Sequence, residues 1–284
     1  MGEGNPYLIT GPALISFSGG RTSAYMLRMI LDAHGGTLPD DVHVCFANTG
    51  KEREETLRFV HECATRWGVR VRWLEWRNRW KRTPLAERFE EVGYNSGARN
   101  GEPFKALIAS KKAVPNAVQR WCTTHLKFQV CCDFMEAQGY STWSNVIGLR
   151  HDEQHRVLKK AGENVEQDNI WRNVMPLDSA RATKATVMAF WAKQPFDLQL
   201  APWEGNCTKC MMKGRKLLMW EVRRDPIDAA DWADMEKLGG GTFTTEWSMD
   251  DLIAEAQSSP LLPGFDHDEE FDAECGTWCP AEAA

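Results

Sequence analysis

No run of about 18 consecutive apolar residues occurs in this chain, so nothing in it reads as a membrane span. The start, Met1 to Gly11, has no basic segment leading into an apolar run, so no signal peptide is expected. No G-x-x-x-x-G-K-[ST] is present, which excludes a Walker A phosphate loop. Internal repeats and low-complexity segments are lacking too. There is no excess of positive charge: Lys+Arg number 34 against 40 Asp+Glu, a net charge of −6. A field of that sign does not draw a protein to nucleic acid or to anionic membrane, so any polyanion contact has to be local.

What is there in quantity is core material. Of 284 residues 43% are hydrophobic, with 13 Trp and 12 Phe, enough for one large core or two smaller domains. The nine cysteines come without a secretion signal and do not suggest a disulfide framework. They read as reduced thiols, some of them for metal or for chemistry, and the cytoplasm is the expected compartment.

The apolar pattern alternates between strand and helix. Ala13 to Phe17 and Val42 to Ala47 read as buried strands, and Val69 to Leu74 as a strand with Arg70 and Arg72 on its solvated face. Helices are expected at Ala24–His34 and Glu54–Trp67 between them. Such alternation argues for an α/β fold, a doubly wound and mostly parallel sheet covered by helices. Residues 75–120 read as an irregular polar connection. Thr123–Gln138 reads as a helix, Trp143–Leu149 as a strand, and Thr183–Lys193 as a helix. Beyond Pro202 the strand pattern stops, and Lys213–Val222 and Ile227–Leu238 look helical. The expected division is an α/β nucleotide-binding domain over 1–215 and a helical extension with an acidic, cysteine-containing tail over 216–284.

Ser18-Gly19-Gly20-Arg21-Thr22-Ser23 lies between the first strand and the first helix, with Ser16 just before it. Glycines let the backbone approach a phosphate, and the helix offers unpaired N–H groups and a positive dipole end. Asn48-Thr49-Gly50 follows the second strand in the same way. A second candidate anion site follows a later strand, Gly148-Leu149-Arg150-His151-Asp152-Glu153-Gln154-His155-Arg156. Two guanidiniums beyond a strand's carboxyl end can hold phosphate or sulfate oxygens, and Glu153 can orient one of them. The bland readings are a tight strand-to-helix turn for the first loop and a solvated charged run for the second.

These loops resemble those of the phosphoadenylyl-sulfate reductase family, the iron–sulfur branch of the adenine-nucleotide α-hydrolase superfamily. Ser-Gly-Gly-x-[Asp/Thr]-Ser is similar to the pyrophosphate loop of that group, and Gly148, Arg150 and Arg156 match its Gly-x-Arg…Arg stretch. Thr22, Asn48 and Gln154 stand where relatives carry Asp, Asp and Ser. The resemblance covers about residues 13–215. It implies a HUP-like fold, an adenine nucleotide as substrate, and nucleotide contacts from the residues just named.

Cys207-Thr208-Lys209-Cys210 is a C-x-x-C, a redox dithiol or half of a metal site. Cys122 precedes the helix expected at Thr123. The resemblance implies that Cys122, Cys207 and Cys210 hold a [4Fe–4S] cluster; zinc is the chemical rival. Trp121 replaces the first of the Cys-Cys pair found in relatives. Cys279, or Cys275, in the tail is the expected fourth ligand, and a three-cysteine cluster with an open iron stays open beside it. Cys45, Cys63, Cys131 and Cys132 are read as core.

Glu274-Cys275-Gly276 resembles the reductases' C-terminal catalytic motif, which implies that Cys275 attacks the sulfate sulfur and that a thioredoxin-type thiol donor then releases sulfite. Residues 66–82 interleave six Arg and one Lys with four Trp and are a candidate nucleic-acid contact. The resulting reading is a sulfonucleotide reductase-like enzyme. An ATP-dependent sulfurtransferase acting on tRNA or DNA, and a non-catalytic nucleotide- or metal-binding protein, are the alternatives.

Overall fold

Strand β1 (Ala13–Ser16) is buried along its whole length and forms the axis of the molecule. In the computed structural model, which describes residues 4–77, 83–165, 170–201 and 203–258, β1 pairs in parallel with a strand on each side. On one side lie β2 (Val42–Asn48) and then β3 (Val71–Trp76), with Ala13 opposite Val42 and Val44 opposite Val71. At the edge beyond them β4 (Phe89–Val92) runs antiparallel to β3. On the other side lie β5 (Trp143–Val146) and β6 (Trp171–Val174), both parallel. The order is β4-β3-β2-β1-β5-β6, so the chain winds outward first in one direction and then in the other. This is the doubly wound, mostly parallel α/β sheet expected.

Side-chain alternation along the strands builds a core on each face. Ile15, Val44, Phe46 and Trp73 pack on one side with α1 (Arg21–Ala33), α2 (Glu54–Trp67) and, from later in the chain, Val187 and Trp191. Leu14, Cys45, Leu74 and Trp76 face the other way. There they meet α3 (Glu102–Lys111) and α4 (Val130–Ala137). Helix α5 (Gln154–Glu163) and the single turn α6 (Pro176–Ser179) flank β6, and α7 (Lys184–Trp191) starts from a capping box of Thr183 and Thr186. The helices α8 (Arg215–Arg224), α9 (Pro226–Gly239) and α10 (Met249–Ser258) complete the chain as described. Their Met219, Trp232 and Leu252 belong to the same apolar cluster as Leu14, Leu74 and Phe104, so these helices form part of the cover over one sheet face.

Three expectations change. Residues 75–120 are not simply irregular: they contain β4 and α3. Four residues with two glutamates, Glu90 and Glu91, have too little apolar pattern to reveal an edge strand; β4 forms because β3 offers it a ladder and basic partners. β6 was missed for the same reason, four residues that need β5 beside them. The helix expected at Thr123–Gln138 is a π-helix over Cys122–Gln129 that continues as α4. Such wide turns are rare and concentrate at functional sites.

Cys45, Cys63, Cys131 and Cys132 are all buried, as expected of core thiols. Burial, reinforced by a contact with Cys131, raises the Cys45 thiol well above its ordinary range, and burial does the same to Cys63. Neither is a reactive group.

Candidate nucleotide and thiol site

The loop after β1 is held in a shape only glycine permits at its second position. Gly19 has φ +79°, and a Cβ there would stand 2.6 Å from Thr56 Cγ2. Gly20 is the residue before α1, and its carbonyl accepts from Ser23 Oγ at 3.1 Å. Ser18 Oγ and Ser23 Oγ lie 2.9 Å apart, so the two hydroxyls close the loop. Ser16 faces away from it: its Oγ donates to Asn145 Oδ1 on β5 at 3.1 Å and ties the two central strands together.

Arg21 is committed elsewhere. It makes a two-point ion pair with Asp197 (Nε–Oδ1 2.7 Å, Nη2–Oδ2 2.5 Å) and donates to the Leu200 carbonyl at 3.1 Å. Its charge is spent on fastening Asp197 and Leu200 to the start of α1. The cation that does meet the loop is Arg150, 4% exposed, whose Nη1 donates to Thr22 Oγ1 at 3.2 Å. Gly148 packs against the same loop, where an added Cβ would make ordinary contact with the Ser23 backbone at 3.4 Å. Glu153 organises the second loop as expected. Its carboxylate accepts from the Arg150 backbone N–H at 3.0 Å and pairs with Arg156. Asp152 takes Arg150 Nε at 3.0 Å. The two loops thus meet at the carboxyl ends of β1 and β5, where the winding reverses and where open α/β sheets bind ligands.

The loop after β2 is buried. Asn48 donates to Glu75 Oε1 at 2.7 Å and to the Ala98 carbonyl at 2.9 Å, and accepts from the Gly50 N–H at 3.2 Å. Thr49 donates to Glu52 through both its N–H (2.8 Å) and its hydroxyl (2.8 Å). Gly50, φ +77°, lies under Gly101, whose Cα would be 2.9 Å from an added Cβ. Asn48 and Thr49 therefore shape this loop by satisfying one another's neighbours.

Next to these loops stands the C-x-x-C. Cys207 forms an antiparallel bridge with Glu52, and the Thr208 N–H donates to the Lys51 carbonyl at 3.0 Å. Lys127, on the π-helix that Cys122 opens, lies 4.0 Å from Cys207 Sγ and 3.3 Å from Glu52. Buried Lys213 donates to the carbonyls of Cys207 (2.8 Å) and Thr208 (2.7 Å) and to Glu221 on α8 (2.7 Å). Burial pushes the Lys213 ammonium down, and Glu221 opposes that push. Lys51 and Lys209 both pair with Asp228 on α9 (2.9 and 2.7 Å). Burial alone would raise the Asp228 carboxyl, but the two lysines outweigh it and hold it at about 2.

Cys122, Cys207 and Cys210 are each half-buried on neighbouring elements. Among the described residues no group of three or more His, Cys, Asp and Glu side chains is placed to hold a metal ion. The described thiols do not by themselves compose a closed centre. Trp121 explains one gap: it is a core residue, edge-on to Phe104 at 6.2 Å, and is no substitute donor. Cys275 and Cys279 lie outside the described residues.

The lysines 51, 127, 209 and 213 and their acids were not foreseen. A Lys within a residue or two of a candidate ligand is a faint signal; its acidic partner on a distant helix gives none. In the basic stretch, Arg70 and Arg72 pair with Glu91 (2.9 and 3.1 Å) and Arg77 with Glu90 (2.5 Å), so these three guanidiniums meet the β3–β4 edge, whereas Arg66 pairs with Glu62 on α2 (3.2 Å). Residues 78–82 lie outside the description. No described helix is long and apolar enough to cross a membrane.

The sheet order and the two loops facing each other at its reversal point define a doubly wound α/β protein with a ligand site at the switch point. Within that class the phosphoadenosine phosphosulfate reductase domain matches residues 12–194, and the chain belongs to that family. It is similar to an uncharacterized nin region protein of Escherichia phage lambda, 31% identical over 215 residues, 70% of this chain and 66% of the phage protein. It is also similar to an uncharacterized protein of Methanocaldococcus jannaschii, 28% identical over 153 residues, 54% of this chain and 26% of the archaeal protein. The chain thus spans just under two thirds of the first relative and about a quarter of the second. A U34-tRNA thiolase from Methanococcus maripaludis with its [4Fe–4S] cluster aligns over 93% of this chain and 79% of its own, at 11% identity and a TM-score of 0.32, too distant to bear on the chemistry here.

Proposed function

We propose that this protein acts on an adenylylated sulfate, adenylyl sulfate or its 3′-phosphorylated form, as a sulfonucleotide reductase-like enzyme. The observation that carries the reading is the contact of Arg150 with Thr22, which brings a buried cation to a glycine loop at a helix start. Such a site suits two linked anionic groups: the loop takes the nucleotide phosphate, and Arg150 and Arg156 take the sulfate. Gly19, Gly20, Thr22 and Ser23 are the loop's contact residues, and Thr49 and Gly50 form the adjoining wall. The Cys275 thiolate attacks the sulfate sulfur, the bond from sulfur to the bridging oxygen breaks, and the nucleoside phosphate leaves with the electron pair. A thioredoxin-type thiol then attacks the Cys275 sulfur and releases sulfite, leaving a disulfide.

Cys122, Cys207, Cys210 and Cys279 are the thiols that would have to draw together to hold a [4Fe–4S] cluster or zinc, since the three described ones are not grouped as a metal site. A cluster held there would supply redox capacity, and zinc would hold the thiolates in place. Anaerobic purification with iron, sulfide and zinc analysis decides between the two, and retention of full metal by Cys122→Ser would remove Cys122 from the set.

Calorimetry with ATP, adenylyl sulfate and its 3′-phosphate, followed by a sulfite assay with a dithiol donor, tests the reaction. Cys275→Ser should keep nucleotide affinity and lose sulfite formation. A second reading, an ATP-dependent sulfurtransferase acting on nucleic acid, is favoured by the C-x-x-C lying against the β2–α2 loop, one residue from a contact with the glycine loop. Pyrophosphate release from ATP without sulfite formation would put it first.

A further inference from the structure

Asn206 precedes Cys207 in the chain and reaches the other loop of the site. Its Nδ2 donates to the Ser18 carbonyl at 2.9 Å, across 188 residues of sequence, and the side chain is buried. Its own carbonyl accepts from the Arg53 N–H at 2.8 Å, just before α2. One residue on, Cys207 bridges to Glu52. The C-x-x-C loop is therefore fixed to the β2–α2 loop by backbone and to the β1–α1 loop by this side-chain amide, whose Oδ1 also accepts from Thr56 Oγ1 on α2 at 3.5 Å. Space beside Ser18 is limited, since a Cβ on the neighbouring Gly19 would stand 2.6 Å from Thr56, 3.1 Å from Val60 and 3.2 Å from Phe46.

We propose that Asn206 is a positioning residue that couples the two halves of the site: a nucleotide seated on the glycine loop shifts the Ser18 carbonyl and with it the Cys207 thiol. This rests on the nucleotide reading above. Coupling of this kind is reciprocal, so a change at Cys207 alters nucleotide affinity. One buried hydrogen bond of ordinary strength corresponds to roughly a fivefold shift in an equilibrium. The cysteine loop has room to respond, since Thr208 and Lys209 line a cavity of about 220 Å³.

The experiment uses reduced, metal-free full-length protein. The rate of Cys207 carbamidomethylation by iodoacetamide is followed by peptide mass spectrometry, with and without whichever of ATP, adenylyl sulfate or its 3′-phosphate binds in calorimetry. In the wild type the nucleotide should change the rate by about threefold or more. In Asn206→Ala and Asn206→Asp, checked for folding by thermal denaturation and for nucleotide binding by calorimetry, the ratio should fall to one. Should both variants fail to fold, the wild type still decides: carbamidomethylation of Cys207 should shift nucleotide affinity by a comparable factor, and an unchanged affinity overturns the coupling. A ratio that survives in the variants means direct shielding by the nucleotide and overturns it. So does a wild type that binds nucleotide with no change at Cys207. If no nucleotide binds at all, the proposed function falls and the coupling falls with it.

Discussion

Arg150 Nη1 donates to Thr22 Oγ1 at 3.2 Å, joining two loops that are 128 residues apart in sequence. The guanidinium is buried and also touches Asp152, so it is pre-set above the glycine loop before any ligand arrives. Arg150→Ala should weaken nucleotide binding by about tenfold or more, as expected for a charge-assisted hydrogen bond in a dry setting. Arg150→Lys should recover little, because an ammonium cannot span Thr22, Asp152 and the ligand at once. Arg156→Ala should cost less, its side chain being 27% exposed. Equal affinities for wild type and Arg150→Ala in calorimetry would remove the residue from the site.

Gly19→Ala tests the loop's shape. The variant needs φ +79° at a non-glycine residue and a methyl 2.6 Å from Thr56 Cγ2. A loss of about 1–3 kcal/mol in urea denaturation is expected. Adding Thr56→Ser removes the clashing methyl and should restore part of that loss, leaving the backbone strain. No recovery in the double variant would mean the steric account is wrong.

Asp228 makes stability depend on acid. Its carboxyl sits at about 2 in the folded chain, against an ordinary value of 3.8. A depressed acid contributes stability that is fully present above the unfolded value and is lost as pH falls through the folded one. The contribution is on the order of 2 kcal/mol. The stability gap between wild type and Asp228→Asn should be full near about pH 5 and should shrink toward about pH 2. A gap that stays constant over that window would show that the Lys51 and Lys209 pairs do not set the carboxyl.

Lys213 holds the cysteine loop from below, with donations to two carbonyls of the C-x-x-C and to Glu221. Lys213→Met should cost on the order of 2 kcal/mol, since buried carbonyls and a carboxylate lose a charged donor together. Alkylation of Cys207 and Cys210 should quicken in the same variant. Unchanged alkylation alongside lost stability would confine Lys213 to a purely structural part.

The alternation of buried strands with amphipathic helices, the two glycine-bearing loops and the core status of Cys45, Cys63, Cys131 and Cys132 were legible in the chain itself. Each depends on residues that are neighbours in sequence or one helical turn apart, so periodicity and turn chemistry carry the information. Short strands such as β4 and β6 were not legible, because four residues carry no period and take their form from the ladder they join.

Partnership was decided by tertiary structure alone. Arg21 reads as a phosphate ligand until Asp197 is found beside it. Arg70 and Arg72 read as solvated charges on a strand until Glu91 arrives on an antiparallel strand. Lys213 is featureless until Glu221 meets it inside the core. A charged side chain's role is set by what neutralises it, and that partner is chosen by the path of the chain through space, which local sequence pattern does not encode.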